Sequence, residues 1–202
     1  LRFVRSYADL RSDRATEILT QTGFTTLYFN HIIGLHPGQR RWTHELIGIV
    51  YAVASACVLD IKHILACQRP DALSSQAQPM IPTPGHGSLP SGHATEAYAV
   101  ATFLAALLEK RAGPGHPKLV TMLFRMAERI AINRTIAGVH FPVDTVAGAA
   151  LGATIGKVLW GLANDPGHGC PKNKAPRFLF DGTRLEHVDF IHDDLFDDRG
   201  EL

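Results

Sequence analysis

Three apolar runs dominate this chain, and each closes on a charge. Leu46 to Leu59 stops before Asp60 and Lys62, Ala97 to Leu108 before Glu109, and Thr145 to Gly156 before Lys157. None reaches the roughly 18 uncharged residues that argue for a transmembrane helix. The runs are therefore read as deeply buried helices of a soluble protein, cytoplasmic, periplasmic or secreted, with no membrane span. In the last run Gly148, Gly152 and Gly156 recur at intervals of four. That spacing predicts close helix packing inside a bundle.

A length of 202 residues suits one domain with a sizeable core. With 46% hydrophobic and 19% charged residues the chain is globular rather than disordered. A net charge of +1 excludes a global attraction for nucleic acid, so any anion preference must be local. Cys57, Cys67 and Cys170 have no metal-type spacing and read as buried thiols. The chain opens at Leu1 with no signal-peptide pattern, as a processed or trimmed piece would. Residues 1–163 are expected to form the catalytic bundle. Residues 164–202 are expected to be a polar tail that packs on it or on a neighbouring subunit of a homo-oligomer. Within that tail His192-Asp193-Asp194 reads as a solvated acidic end rather than a metal site.

In chain order, Phe3 to about Thr20 reads as an amphipathic surface helix, and Thr25–Ile33 as a second helix ended by Gly34. His31 and His36 read as solvent-facing or capping residues. A long helix follows from an N-cap at Thr43 to Cys67. Near its end Lys62 and Arg69 are seven apart, almost two turns, and so share a face. Pro70 disfavours helix at Arg69 and frees that side chain to turn inward. Alone, the pair reads as two surface cations at a helix C-terminus, where the dipole favours them. Asp71 to Leu89, rich in Pro, Ser, Gln and Gly, is long for a connector and reads as a functional loop.

That loop delivers the chain to Leu89-Pro90-Ser91-Gly92-His93-Ala94-Thr95. Ser91 is a good N-cap, and Gly92 lets a ligand approach the backbone closely. A helix N-terminus favours an anion, and His93 in the first turn can exchange protons with it. A helix over Glu96–Lys110 follows, then a turn at Gly113–Pro117 and a helix from Lys118 to Ile136. Arg134 ends that helix, while His140 and Asp144 flank the start of the next, at the Gly138 break and Pro142. Four residues apart, Asp144 can fix the tautomer of the His140 ring. Three cations, a hydroxyl, backbone donors, two imidazoles and a carboxylate make a set suited to a tetrahedral oxyanion.

Taken together, Lys62-x6-Arg69-Pro70, Pro90-Ser91-Gly92-His93 and Asn133-Arg134-x5-His140-x3-Asp144 resemble one superfamily. It comprises the type 2 phosphatidic acid phosphatases, the bacterial class A acid phosphatases and the vanadium-dependent haloperoxidases. The resemblance implies an all-α helical bundle in which Lys62, Arg69, Ser91, Gly92 and Arg134 hold the oxygens of phosphate or vanadate. It also implies that His140 is the nucleophile, or the ligand of vanadium, that His93 is the acid, and that Asp144 orients His140. The family has Ser where this chain has Asn133, which implies adjusted contacts around an intact site.

The first reading is a vanadate-dependent haloperoxidase that oxidises bromide or iodide with hydrogen peroxide. It rests on the soluble character and on Pro82-Thr83-Pro84-Gly85-His86, whose His86 matches a halide-pocket position; an exposed loop histidine is the other reading of His86. The second is an acid phosphatase that cleaves phosphomonoesters through a phosphohistidine and needs no cofactor. The third is a phosphate-binding scaffold without turnover.

Overall fold

The structure is a computed structural model that describes residues 1–23, 25–36, 38–113 and 116–164. Among them every regular element is helical: α1 (Arg2–Tyr7), α2 (Arg11–Thr20), α3 (Thr26–Ile32), α4 (Arg41–Leu65), α5 (Pro70–Leu73), α6 (Gly92–Ala112), α7 (Pro117–Ile136) and α8 (Pro142–Asn164), with 3-10 turns at Ala8–Leu10 and Ser75–Ala77. The expected all-α bundle is what forms. The polar tail, with Cys170 and His192-Asp193-Asp194, lies outside the described residues.

Helix α6 is the axis. It packs most extensively on α8, then on α7 and α4, and its residues from Ala94 to Ala105 are all buried. The glycine series explains the tightest pair. A Cβ built on Gly148 would lie 2.6 Å from the Ser91 carbonyl oxygen, one on Gly152 would run into the Thr95 carbonyl, and one on Gly156 would lie 2.6 Å from the Ala99 carbonyl. Both registers climb together, so α8 and α6 run side by side in the same direction. Ser55 of α4 bonds Glu96 of α6, and Val58 approaches Gly92, so α4 runs the opposite way. As a result the C-terminal ends of α4 and α7 meet the N-terminal ends of α6 and α8 at one end of the bundle. Gly152→Val would force backbone apart rather than a flexible side chain. We expect a cost of about 1–3 kcal/mol, seen as a lower thermal midpoint in detergent; an unchanged midpoint would show slack between α6 and α8.

The long helix α4 ends differently from expectation. It starts at Arg41, not Thr43, and stops at Leu65 because Ala66 adopts a left-handed conformation (φ 46°). Its amide still donates to the Lys62 carbonyl at 2.9 Å. A non-glycine residue there is strained by roughly 1–2 kcal/mol, and the reversal it makes swings Arg69 back over the helix end. The N-terminal segment is also broken, with a 3-10 turn separating α1 from α2.

The expectation that no helix spans a membrane does not hold. Two stretches, Arg41–Leu73 and Pro142–Asn164, are long and apolar enough to cross one. Only 22% of the most apolar part of the first is buried inside the protein, and 28% of the second. On α4, Trp42, Ile49, Ile64 and Leu65 are exposed, Ile64 to 80%. Counting uncharged residues stopped the first run at Asp60 and Lys62. Of these, Lys62 folds inward and is 1% exposed, so it presents no charge to the surroundings of α4, and Asp60 alone of the two is left on the outside. Lys157 stands seven residues before the last residue of α8, where a long side chain can reach an interface.

Candidate active site

All the motif residues gather at the end of the bundle just described. Lys62 comes from the last turn of α4, and Arg69 precedes α5. His86 and Ser91 come from the loop into α6, and Gly92 and His93 from its first turn. Arg134 comes from the last turn of α7, His140 from the α7–α8 connection and Asp144 from the first turn of α8. They form two groups.

The first group centres on His140 and Asp144, 4% and 2% exposed. One carboxylate oxygen, Oδ2 of Asp144, receives three donors: the ring Nδ1 of His140 at 3.1 Å, the Ser88 hydroxyl at 2.5 Å and the Phe141 amide at 2.9 Å. A carboxylate only accepts, so Nδ1 carries the proton and Nε2 keeps its lone pair. That Nε2 faces Nη1 of Arg69 at 3.4 Å. Burial pushes the imidazole down, to about 4, and the Asp144 carboxylate opposes this only in part. A 15N titration should therefore find His140 neutral, with its proton on Nδ1, from pH 8 down to about pH 5. A midpoint near the ordinary 6.5 would contradict this environment.

The cations are held by main-chain oxygens of the loops. Lys62 Nζ donates to the carbonyls of Gly87 (2.8 Å) and Ser88 (2.9 Å). Arg69 donates through Nε to the His86 carbonyl (3.0 Å) and through Nη1 to the Val139 carbonyl (2.8 Å). Its Nη2 reaches the His86 ring at 3.2 Å. These bonds fix the loop across the end of α4, where a side chain on Gly87 would lie 2.9 Å from the Lys62 carbonyl. Ser91 is the expected N-cap of α6. Its hydroxyl caps α6 by accepting from the Ala94 amide, but its own amide donates to the Asp144 carbonyl at 2.8 Å. The amide that the loop offers an anion is thus not that of Ser91.

The second group is His93 and Arg134. His93 Nε2 donates to the Gln21 carbonyl at 2.9 Å. Arg134, 1% exposed, donates to the Ile18 carbonyl at 3.1 Å and to Oε1 of Gln21 at 3.4 Å, while its Nε is buried without a partner. Asn133 does not add to the anion donors: its amide nitrogen reaches Gln21 Oε1 (2.9 Å) and Glu17 (3.2 Å). Ser88 and Gln21 were not singled out from the sequence. Ser88 sits three residues before Ser91 and had only its place in the loop to recommend it; Gln21 follows a helix that reads as a plain surface element.

Comparisons with known proteins agree with the motifs. A family model described as the PAP2 superfamily matches residues 45–167. Two relatives, both described as decaprenylphosphoryl-5-phosphoribose phosphatase, come from Mycobacterium tuberculosis strains CDC 1551 / Oshkosh and H37Rv. Each is 36% identical over 137 residues, 68% of this chain and 70% of its own length. Two solved structures share the fold. One is the first transmembrane PAP2 type phosphatidylglycerolphosphate phosphatase from Bacillus subtilis (TM-score 0.58, 21% identity, 80% of this chain and 85% of that one). The other is Aquifex aeolicus LpxE (TM-score 0.60, 24% identity, 79% and 93%). The relatives named as phosphatases favour the phosphatase reading over the haloperoxidase one and give no support to vanadate as a resident cofactor. The expectation of a soluble chain without a span is overturned by the two helices long and apolar enough to cross a bilayer, and the Bacillus subtilis protein that shares the fold is itself described as transmembrane.

Proposed function

Since this chain belongs to the PAP2 superfamily and is an enzyme of it, we propose that it is a membrane phosphatase that removes a terminal phosphate from a lipid-linked phosphomonoester. The observation that carries the reaction is the His140 ring. Its Nδ1 is tied to Asp144 and its unprotonated Nε2 accepts from Arg69 Nη1. An imidazole held that way is a nucleophile with a cation waiting for the oxygens of its target.

In this reading Nε2 of His140 attacks phosphorus while the bond to the ester oxygen breaks, and His93, with its Nε2 proton held on the Gln21 carbonyl, gives that oxygen a proton from Nδ1. A water then gives its proton back to His93 and attacks phosphorus, the phosphorus–nitrogen bond breaks, and inorganic phosphate leaves. Arg69, Lys62, Arg134 and the backbone around Gly92 stabilise the charge on the three equatorial oxygens as the PO3 group flattens into a trigonal plane between nucleophile and leaving group. The positive charge that forms on the phosphorylated ring is balanced by Asp144.

Membrane placement follows from the exposed apolar faces of α4 and α8. Helix α4, 25 residues long, spans about 38 Å at 1.5 Å per residue, enough for a hydrocarbon core of about 30 Å. Because the site lies at one end of these helices, it stands at the membrane surface, where the phosphate of a lipid lies. The mycobacterial relatives point to a polyprenyl-linked sugar phosphate as the substrate class. The test is phosphate release by the protein in vesicles. We expect kcat/KM for a polyprenylphosphoryl pentose phosphate to exceed that for p-nitrophenyl phosphate by at least tenfold. Equal values would remove the lipid from the proposal.

A further inference from the structure

The stretch matched by the family model begins at residue 45, yet one side of the site is closed by α2 and the residue after it. Arg11 of α2 ties the segment down, donating to the carbonyls of Ile136 (2.8 Å), Gln78 (2.7 Å) and Ala77 (2.9 Å). Glu17 is committed as well, accepting from Arg129 at 2.6 Å and from Asn133 at 3.2 Å. Gln21, fully buried, then lies between the two catalytic candidates of the second group. Its main-chain oxygen receives His93 and its side-chain oxygen receives Asn133 and Arg134.

The orientation of that side chain is forced. Turned over, its NH2 would face the amide nitrogen of Asn133 and the guanidinium of Arg134, donor against donor. With Oε1 placed where both can donate, Nε2 points away from them and is buried without a partner. The adjoining Nε of Arg134 is in the same condition. A buried donor left unmet is destabilising, and two of them on side chains bonded to each other call for an acceptor with several lone pairs. A phosphoryl oxygen is such an acceptor.

We infer that Gln21 is a further substrate-binding residue, donating through Nε2 to the phosphoryl group beside Arg134, and that Asn133 is the strut that aims it. This rests on the phosphatase reading of the same site. It also gives a reason for Asn133 where the family has Ser: the longer side chain reaches Gln21 Oε1.

Orthovanadate, a mimic of the five-coordinate centre, is the probe, used as a competitive inhibitor with the full chain in detergent micelles. Gln21→Met keeps the length and loses the donor, together with the oxygen to which Asn133 and Arg134 donate. Its inhibition constant is expected to rise at least tenfold, the loss of one hydrogen bond to a charged oxygen. Asn133→Ser removes the strut but keeps the donor, and a rise of less than threefold is expected. A Gln21→Met value within threefold of wild type, or an equal rise in both variants, would overturn the inference and leave Gln21 a packing residue. Should Gln21→Met fail to fold, Gln21→Glu keeps the oxygen that Asn133 and Arg134 use. Wild-type inhibition in Gln21→Glu would overturn the inference too. Failure of orthovanadate to inhibit the wild-type protein would instead count against the phosphatase reading itself.

Discussion

His140→Ala is expected to lower phosphate release by a factor on the order of 10^4 to 10^6, the scale seen when an enzyme loses its nucleophile. Nothing nearby can replace it. Among the described residues that meet its Nε2 or Asp144, Arg69 is a cation, Ser88 is a donor to the carboxylate, and the rest are backbone groups. The same variant should lose the covalent intermediate. With 32P-labelled substrate and an alkaline quench, label should stay on the wild-type protein and be absent from the variant. Activity within a hundredfold of wild type would mean that another group attacks phosphorus.

Asp144→Asn should be nearly as damaging, at about 10^2- to 10^4-fold in kcat, by analogy with loss of the orienting carboxylate in other imidazole mechanisms. Three donors converge on Oδ2 of Asp144, and a neutral amide oxygen meets them less strongly. It also cannot balance the positive charge of the phosphorylated ring. The effect belongs in kcat, because the bonds of Asp144 go to His140, Ser88 and the Phe141 amide, which places it behind the attacking ring. Ser88→Ala removes one of the three donors and leaves the ring in place, so a loss of about tenfold or less is expected. If Asp144→Asn raised KM and spared kcat, the carboxylate would serve binding and not the nucleophile.

Much of the site could be read from the chain, because its parts lie at helix ends and helix ends carry local signals. Ser91 as an N-cap, Gly138 at a break (φ 82°) and Pro142 opening α8 are such signals, and each marks a junction that delivers a site residue. The His140–Asp144 contact follows from a spacing of four. The glycine ladder of α8 likewise announced a close neighbour, though not which helix it would be. What escaped was set by tertiary contact. No local rule tells that Ala66 turns left-handed and folds Arg69 back, nor that the end of α2 reaches His93 and Arg134. The length of the apolar helices was missed for a related reason. A charge in the sequence has no direction until the helix is packed, and of the two charges that ended the first run, Lys62 points into the site while Asp60 stays on the surface.

The measurement that bears most directly on the account is a paired assay of the wild-type protein in vesicles. One arm offers a lipid-linked phosphomonoester and follows inorganic phosphate. The other offers orthovanadate, hydrogen peroxide and bromide, and follows halogenation of an acceptor. The account predicts phosphate release that orthovanadate suppresses, with no bromide oxidation above background. Bromide oxidation that depends on orthovanadate, without release of phosphate, would contradict it.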